Sequence, residues 1–262
     1  NYGQLGDDMS SADQVSPVSV DFGTGRTAVA ISADYYRTCA ILDNGDLKCW
    51  GRGDYGNLGI GTSNDQYTPP STPIDLGTGR TAVAVSGGFM HVCAILDNGD
   101  VKCWGQNNAG QLGIGNSINS ATPLSTPIDL GSGRTALAVS AGSYHACAIL
   151  DNGDLKCWGK GGRGQLGMGI NYNLDAPSST AIDLGAGRTA IAVSAGEDHT
   201  CAILDNGELK CWGRDNYGQL GDGGTDTDTN APSTAIDLGT GRTAVAVSAG
   251  VGHTCVILDN NE

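Results

Sequence analysis

The chain repeats itself. Asp21, Asp75, Asp129, Asp183 and Asp237 stand 54 residues apart, and nearly the same run of residues follows each of them. Such a fixed period constrains architecture more tightly than length does, because each repeat is a supersecondary unit that buries its apolar face only against its neighbours. Residues 1–262 therefore read as one repeat array with unit boundaries near those five Asp residues. Asn1 to Gly6 reads the same as Asn216 to Gly221, and the chain stops within a hairpin pattern, so both ends are expected to cut a repeat.

The unit runs D-L-G-x-G-R-T-A-x-A-V-S-x-G-x-x-H-x-C-A-I-L-D-N-G-x-L-K-C-W-G, followed by a variable polar segment that contains G-x-L-G and ends near P-S-T. Thr81 to Ser86 alternates Val83 and Val85 with Ala82, Ala84 and Ser86, the period of a strand. One branched face and one small face suit a strand crowded near the axis of a radial sheet array. The preceding G-x-G-R is a turn. Asn98-Gly99 between two apolar runs signals a hairpin. A two-residue turn sets Cys93 opposite Trp104; a three-residue turn with Gly99 left-handed sets Cys93 opposite Cys103 and Ile95 against Val101. The cysteines favour the second register. The segments rich in Ser, Thr, Asn, Asp and Pro are loops, and no helix longer than a turn is needed. The expected class is all-β.

Nine cysteines make the most specific chemical pattern. Cys39 and Cys49, Cys93 and Cys103, Cys147 and Cys157, and Cys201 and Cys211 share one spacing on facing strands, which predicts one disulfide per hairpin. The partner of Cys255 is expected beyond the chain end. Reduced core cysteines are the competing reading. Zinc fits less well, since it favours short C-x2-C spacing with four convergent ligands. Cross-strand disulfides imply an oxidising compartment, hence a secreted or cell-surface protein.

S-A-G-x-x-H-x-C-A-I-L, N-G-x-L-K-C-W-G and G-Q-L-G together resemble the regulator-of-chromosome-condensation repeat over essentially the whole chain. Ala141 to His145, Asn152-Gly153, Trp158-Gly159 and Gly164 to Gly167 carry the motifs in one unit. The resemblance implies a β-propeller of four-stranded blades around a central axis, about five of them here. The family's best-known member has seven, which implies a fragment of a longer array. That member is also a nucleotide-exchange factor for a small GTPase on chromatin. Exchange requires singular loop residues and a protruding insertion, whereas these units are nearly uniform; fold alone does not transfer an activity. An intracellular interaction module resembling such an exchange factor stands as an alternative.

Other recurring residues read as architecture. His91, His145, His199 and His253 occupy one repeat position, held by Arg37 in the first unit. A metal ring would need convergence and supporting partners, so structural imidazoles bonding neighbouring backbone are favoured. Trp50, Trp104, Trp158 and Trp212 recur likewise, as do Arg26, Arg80, Arg134, Arg188 and Arg242. The G-x-G-R run opens a strand, unlike a phosphate loop, so these arginines are expected to bond carbonyls or carboxylates between blades. Asp-Asn-Gly-Asp at 43, 97 and 151 lacks the ligand spacing of a calcium loop and is explained by a hairpin turn.

No nucleophile, base and orienter form a set apart from the repeat consensus, so no enzyme, cofactor or metal site is expected. The formal charge is −14 with no basic run, which argues against nucleic acid. No apolar run reaches the roughly 18 to 20 residues of a membrane span, so no insertion is expected. Variation falls in the polar loops and in the two residues before each His, where a protein or carbohydrate ligand would bind. Thr68, Ser71, Thr72, Thr122, Ser125 and Thr126 are candidate O-glycosylation sites by composition. The expected function is a non-catalytic extracellular scaffold for protein or glycan binding, adhesion or structural assembly. Self-assembly as the subunit of an extracellular filament is the further alternative.

Overall fold

A computed structural model of the chain describes residues 2–7, 16–224 and 227–262. Strands come in repeating groups: β1 (Ala28–Asp34), β2 (Arg37–Leu42) and β3 (Leu47–Gly51); β4 (Ala82–Gly87), β5 (His91–Leu96) and β6 (Val101–Gly105); β7 (Ala136–Ala141), β8 (His145–Leu150) and β9 (Leu155–Gly159); β10 (Ala190–Ala195), β11 (His199–Leu204) and β12 (Leu209–Gly213); then β13 (Ala244–Ala249) and β14 (Thr254–Leu258). Each group is an antiparallel meander, and the last has two strands. Consecutive inner strands β1, β4, β7, β10 and β13 neighbour one another in turn, as the blades of a propeller do, and the ring is not closed. Across each step a serine on one inner strand accepts from the next: Gly87 N–H to Ser32 Oγ, Ala141 N–H to Ser86 Oγ, Ala195 N–H to Ser140 Oγ and Ala249 N–H to Ser194 Oγ, at 2.8–3.0 Å.

The resemblance implies four strands per blade, and the structure departs from it. The fourth segment touches β3, β6, β9 and β12 only through single bridges, Gly51 to Gln66, Gly105 to Ser120, Gly159 to Leu174 and Gly213 to Thr229. Pro69, Pro123, Pro177 and Pro232 each follow three residues after the bridge. A proline cannot donate to a ladder, so pairing stops there.

The hairpin takes the three-residue turn. Leu96 N–H bonds Asp100 O, Gly99 has φ 81°, and Cys93 faces Cys103 while Ile95 faces Val101. All four cysteine pairs are bonded, with Cα separations of 4.0–4.1 Å. Cys255 is exposed and unpaired.

Blades pack face to face. The disulfide face of the second blade, Cys93, Ile95, Val101 and Cys103, lies against Ala146, Ala148, Leu150 and Trp158 of the third, and the other interfaces repeat the arrangement. Each such interface removes several aliphatic side chains from water at roughly 1.5–3 kcal/mol apiece, which explains why neighbouring blades are needed for stability. Indole N–H groups lock the register: Trp104 bonds Asn57 O, Trp158 bonds Gln111 O and Trp212 bonds Gln165 O, at 3.0–3.1 Å. Gly113 sits so close that a Cβ there would stand 2.7 Å from the Trp158 indole nitrogen.

Val83 and Val85 do not share one packed face. A bulge between Ala82 and Ala84 turns Val83 out of the ladder, 59 % exposed, whereas Val85 packs against the first blade. The arginines also differ from expectation. Arg26, Arg80, Arg134, Arg188 and Arg242 pair with Asp43, Asp97, Asp151, Asp205 and Asp259 of the hairpin turn in their own blade. The reason is topological: the G-x-G-R turn and the Asp-Asn-Gly turn lie at the same end of one meander.

Candidate binding site at the axial mouth

The meander gives every blade two unlike ends. One carries the Asp-Asn-Gly turns and their arginines, repeated almost unchanged. The other carries the tight turns between first and second strands, Tyr35-Tyr36, Phe89-Met90, Ser143-Tyr144, Glu197-Asp198 and Val251-Gly252, which differ in every blade. These turns ring a depression of about 370 Å³ where the inner strands converge, with Gly88, Gly142, Gly196 and Gly250 among its lining.

Aromatic side chains run along this rim. The Tyr2 and Tyr36 ring centroids are 5.1 Å apart, Tyr35 and Phe89 lie 4.5 Å apart edge to face, and Phe89 and Tyr144 lie 5.6 Å apart. Cations from the adjoining turns stack on the arc: Arg52 stands 4.9 Å from the Tyr2 ring and 5.4 Å from Tyr36, and Lys160 stands 5.3 Å from Tyr144. Both have carboxylate partners, Asp54 for Arg52 and Asp198 for Lys160. Burial pushes the Tyr144 phenol above its usual range, and the Glu197 carboxylate, Tyr35, Asp198 and Tyr55 add to the shift.

Beneath the mouth lies the repeated imidazole position. His145 Nε2 meets Thr200 Oγ1 at 2.9 Å, and that hydroxyl gives its proton to Gln165 O at 2.9 Å. Thr200 must therefore accept from His145, which places the imidazole proton on Nε2 and leaves Nδ1 as an acceptor. His199 repeats the relation through Thr254 and Gln219 O. Burial holds His91 and His145 down at about 3 and His199 at about 4. These rings are neutral at physiological pH. His91 has no hydroxyl in reach because Ala146 occupies the equivalent position, and its ring lies against the His145 backbone instead, with no well-formed hydrogen bond to either nitrogen. His253 is exposed.

The first blade replaces this arrangement. Asp34 stands where the others have Gly88, Gly142, Gly196 and Gly250, and Arg37 stands at the His position. Their side chains pair at 3.0 Å, and Arg37 reaches into the second blade to donate to Gly88 O and, at 2.7 Å, to His91 O. Burial pushes the Asp34 carboxyl up to about 7 against the pull of Arg37.

Sequence reasoning missed one repeated residue. Lys48, Lys102, Lys156 and Lys210 are 6–8 % exposed, and their ammonium groups donate to backbone carbonyls: Phe22 O, Leu76 O, Leu130 O and Leu184 O, at 3.0–3.1 Å. The consensus L-K-C-W-G places Lys on a strand facing the loop that opens the same unit, and that position was the available signal. Among the described residues no group of three or more His, Cys, Asp or Glu is arranged to hold a metal ion.

A family model described as the RCC1-like domain matches residues 1–262, and the chain belongs to that family. The family's repeat domain is a protein-interaction scaffold. The chain is 33 % identical over 222 residues to the ultraviolet-B receptor UVR8 of Arabidopsis thaliana, covering 84 % of this chain and 49 % of that protein. It thus spans about half the length of that relative. The crystal structure of human WBSCR16 superposes with a TM-score of 0.81 at 22 % identity, over 98 % of this chain and 65 % of that one. Yeast RCC1 (Prp20), solved bound to Kap60, gives 0.80 at 20 % identity, over 93 % and 56 %. These two structures share the fold.

Proposed function

We propose that this chain is a non-catalytic extracellular scaffold that binds a partner protein at its axial mouth. The observation that carries the reading is where the blades differ. Cysteines, tryptophans, lysines and arginines recur from blade to blade, while the turn residues at one end change and bring an aromatic arc to the rim of a depression. Variable turns on a rigid repeat scaffold are where binding residues gather. The extracellular half rests on four buried hairpin disulfides, which persist where the environment is oxidising. Thr68, Ser71, Thr72, Thr122, Ser125 and Thr126 are all exposed, as O-glycosylation would require.

Site-specific photocrosslinking tests the mouth. With p-benzoylphenylalanine in place of Tyr35, native material should give a discrete protein adduct; with the same group in place of Asn98, at the uniform end, it should give none. Adducts from Asn98 alone would overturn the assignment. Free thiols at Cys93 and Cys103 in freshly isolated native protein would remove the extracellular half.

A further inference from the structure

Resting on that reading of the mouth, we propose that the depression accepts a basic side chain, Lys or Arg, projecting from the partner protein. Tyr35, Phe89 and Glu197 line it together, and no Lys or Arg is among its lining residues. Tyr144 continues the ring contacts from Phe89, and its phenol senses both the Glu197 carboxylate and Tyr35, so π faces and an anion lie within electrostatic reach of one another. An aromatic face beside a carboxylate is a combination that favours ammonium and guanidinium groups over neutral ones.

Three further observations point the same way. Glu197 has no ion-pair partner among the described residues, whereas Asp34, Asp54 and Asp198 at the same end each have one. The outer side of the arc already holds two cations of the chain itself, Arg52 and Lys160, which shows that these rings stack on positive charge in this setting. Those cations are neutralised by Asp54 and Asp198, so they leave the negative charge of Glu197 uncompensated. The net charge of −14 adds a long-range field that draws a basic partner.

The test uses the full chain and three blocked pentapeptides, Gly-Gly-Lys-Gly-Gly, its Arg counterpart and its Gln counterpart, titrated by NMR at low salt. The Lys and Arg peptides should shift the Tyr35, Phe89 and Tyr144 ring signals in a saturable way, with the Gln peptide about tenfold weaker or silent. Glu197→Gln should weaken Lys-peptide binding about fivefold or more, and Tyr35→Leu, which keeps apolar bulk but removes the π face, should do likewise. Equal binding of Lys and Gln peptides, no binding of either cationic peptide, or binding that survives both substitutions would overturn the proposal. The two readings fail separately. Tyr35 adducts unaffected by Glu197→Gln and by excess Lys peptide would keep the mouth as the docking site and reject the cationic side chain. Saturable Lys-peptide binding without any Tyr35 adduct would reject the partner and keep the acceptor.

Discussion

The step from first to second blade and the step from third to fourth solve the same packing problem with opposite chemistry. At the later step a Cβ on Gly142 would come within 2.5 Å of the His145 ring, so glycine is required beside the imidazole, and His145 joins the next blade through Thr200. At the first step the glycine is replaced by Asp34 and the histidine by Arg37, and the pair joins the next blade through carbonyls. A third position changes with them. Gly87 stands where later blades have Ala141, Ala195 and Ala249, and a Cβ there would sit 1.7 Å from Asp34 Oδ2. Charge thus costs room, and the neighbouring blade supplies it. In an array of near-identical units, this trio makes the first step unlike every other.

The comparison breaks most visibly if the ion pair is halved. Arg37→Ala leaves the Asp34 carboxyl buried without its partner and should cost about 3–5 kcal/mol in urea unfolding; a midpoint shift as small as that of a surface variant would mean the pair carries no weight. Gly87→Ala comes next, at about 1–3 kcal/mol from overpacking, and Asp34→Gly together with Arg37→His in the same chain, which removes the carboxylate without stranding the guanidinium, should recover most of the loss. No recovery would show that Gly87 answers to something other than Asp34.

Acid separates the two chemistries further. His91 and His145 titrate at about 3 and His199 at about 4 in the fold, against about 6.5 unfolded, so below pH 6.5 the unfolded chain binds more protons. Stability at these steps is intact above pH 6.5 and falls toward pH 3, at about 1.4 kcal/mol per pH unit for each titrating imidazole. Asp34, raised to about 7, behaves oppositely: its contribution is present at low pH and is lost as pH rises through 7. Thermal unfolding across pH 3–8 should therefore show a steeper acid limb, with no opposing decline from this site between about pH 4 and pH 7, once Asp34→Gly and Arg37→His convert the first step. An unchanged profile would erase the distinction. The smallest effect is a gain. Ala146→Thr gives His91 the hydroxyl that Thr200 gives His145, and should raise stability by about 1 kcal/mol.

Much of the fold was legible in the sequence, and for stated reasons. The period named the array, Asn98-Gly99 with its flanking cysteines selected one hairpin register, and the change of residues before each His marked the variable end. The fourth strand was not legible, because the Pro that ends pairing lies in a loop whose bridge spans a single residue pair. Arg26 and its copies were assigned partners across blades because a linear reading does not show that two turns share one end of a meander. Arg37 registered as a departure from His, yet its pairing with Asp34 three residues before it, and the room that Gly87 leaves 50 residues further on, needed distances in space. The rim needed them too: Tyr35, Phe89, Tyr144 and Glu197 come from four repeats, and nothing in any one repeat announces a shared site.

The carbonyl-bound lysines have a practical consequence. Of the five lysines, Lys48, Lys102, Lys156 and Lys210 are shut away with their ammonium groups donating to backbone carbonyls, and Lys160, with a side chain 34 % exposed, is the lysine an acylating reagent can reach in the native state. A single-hit label would therefore land beside Tyr144, at the edge of the mouth, and each further label acquired would count an opened blade.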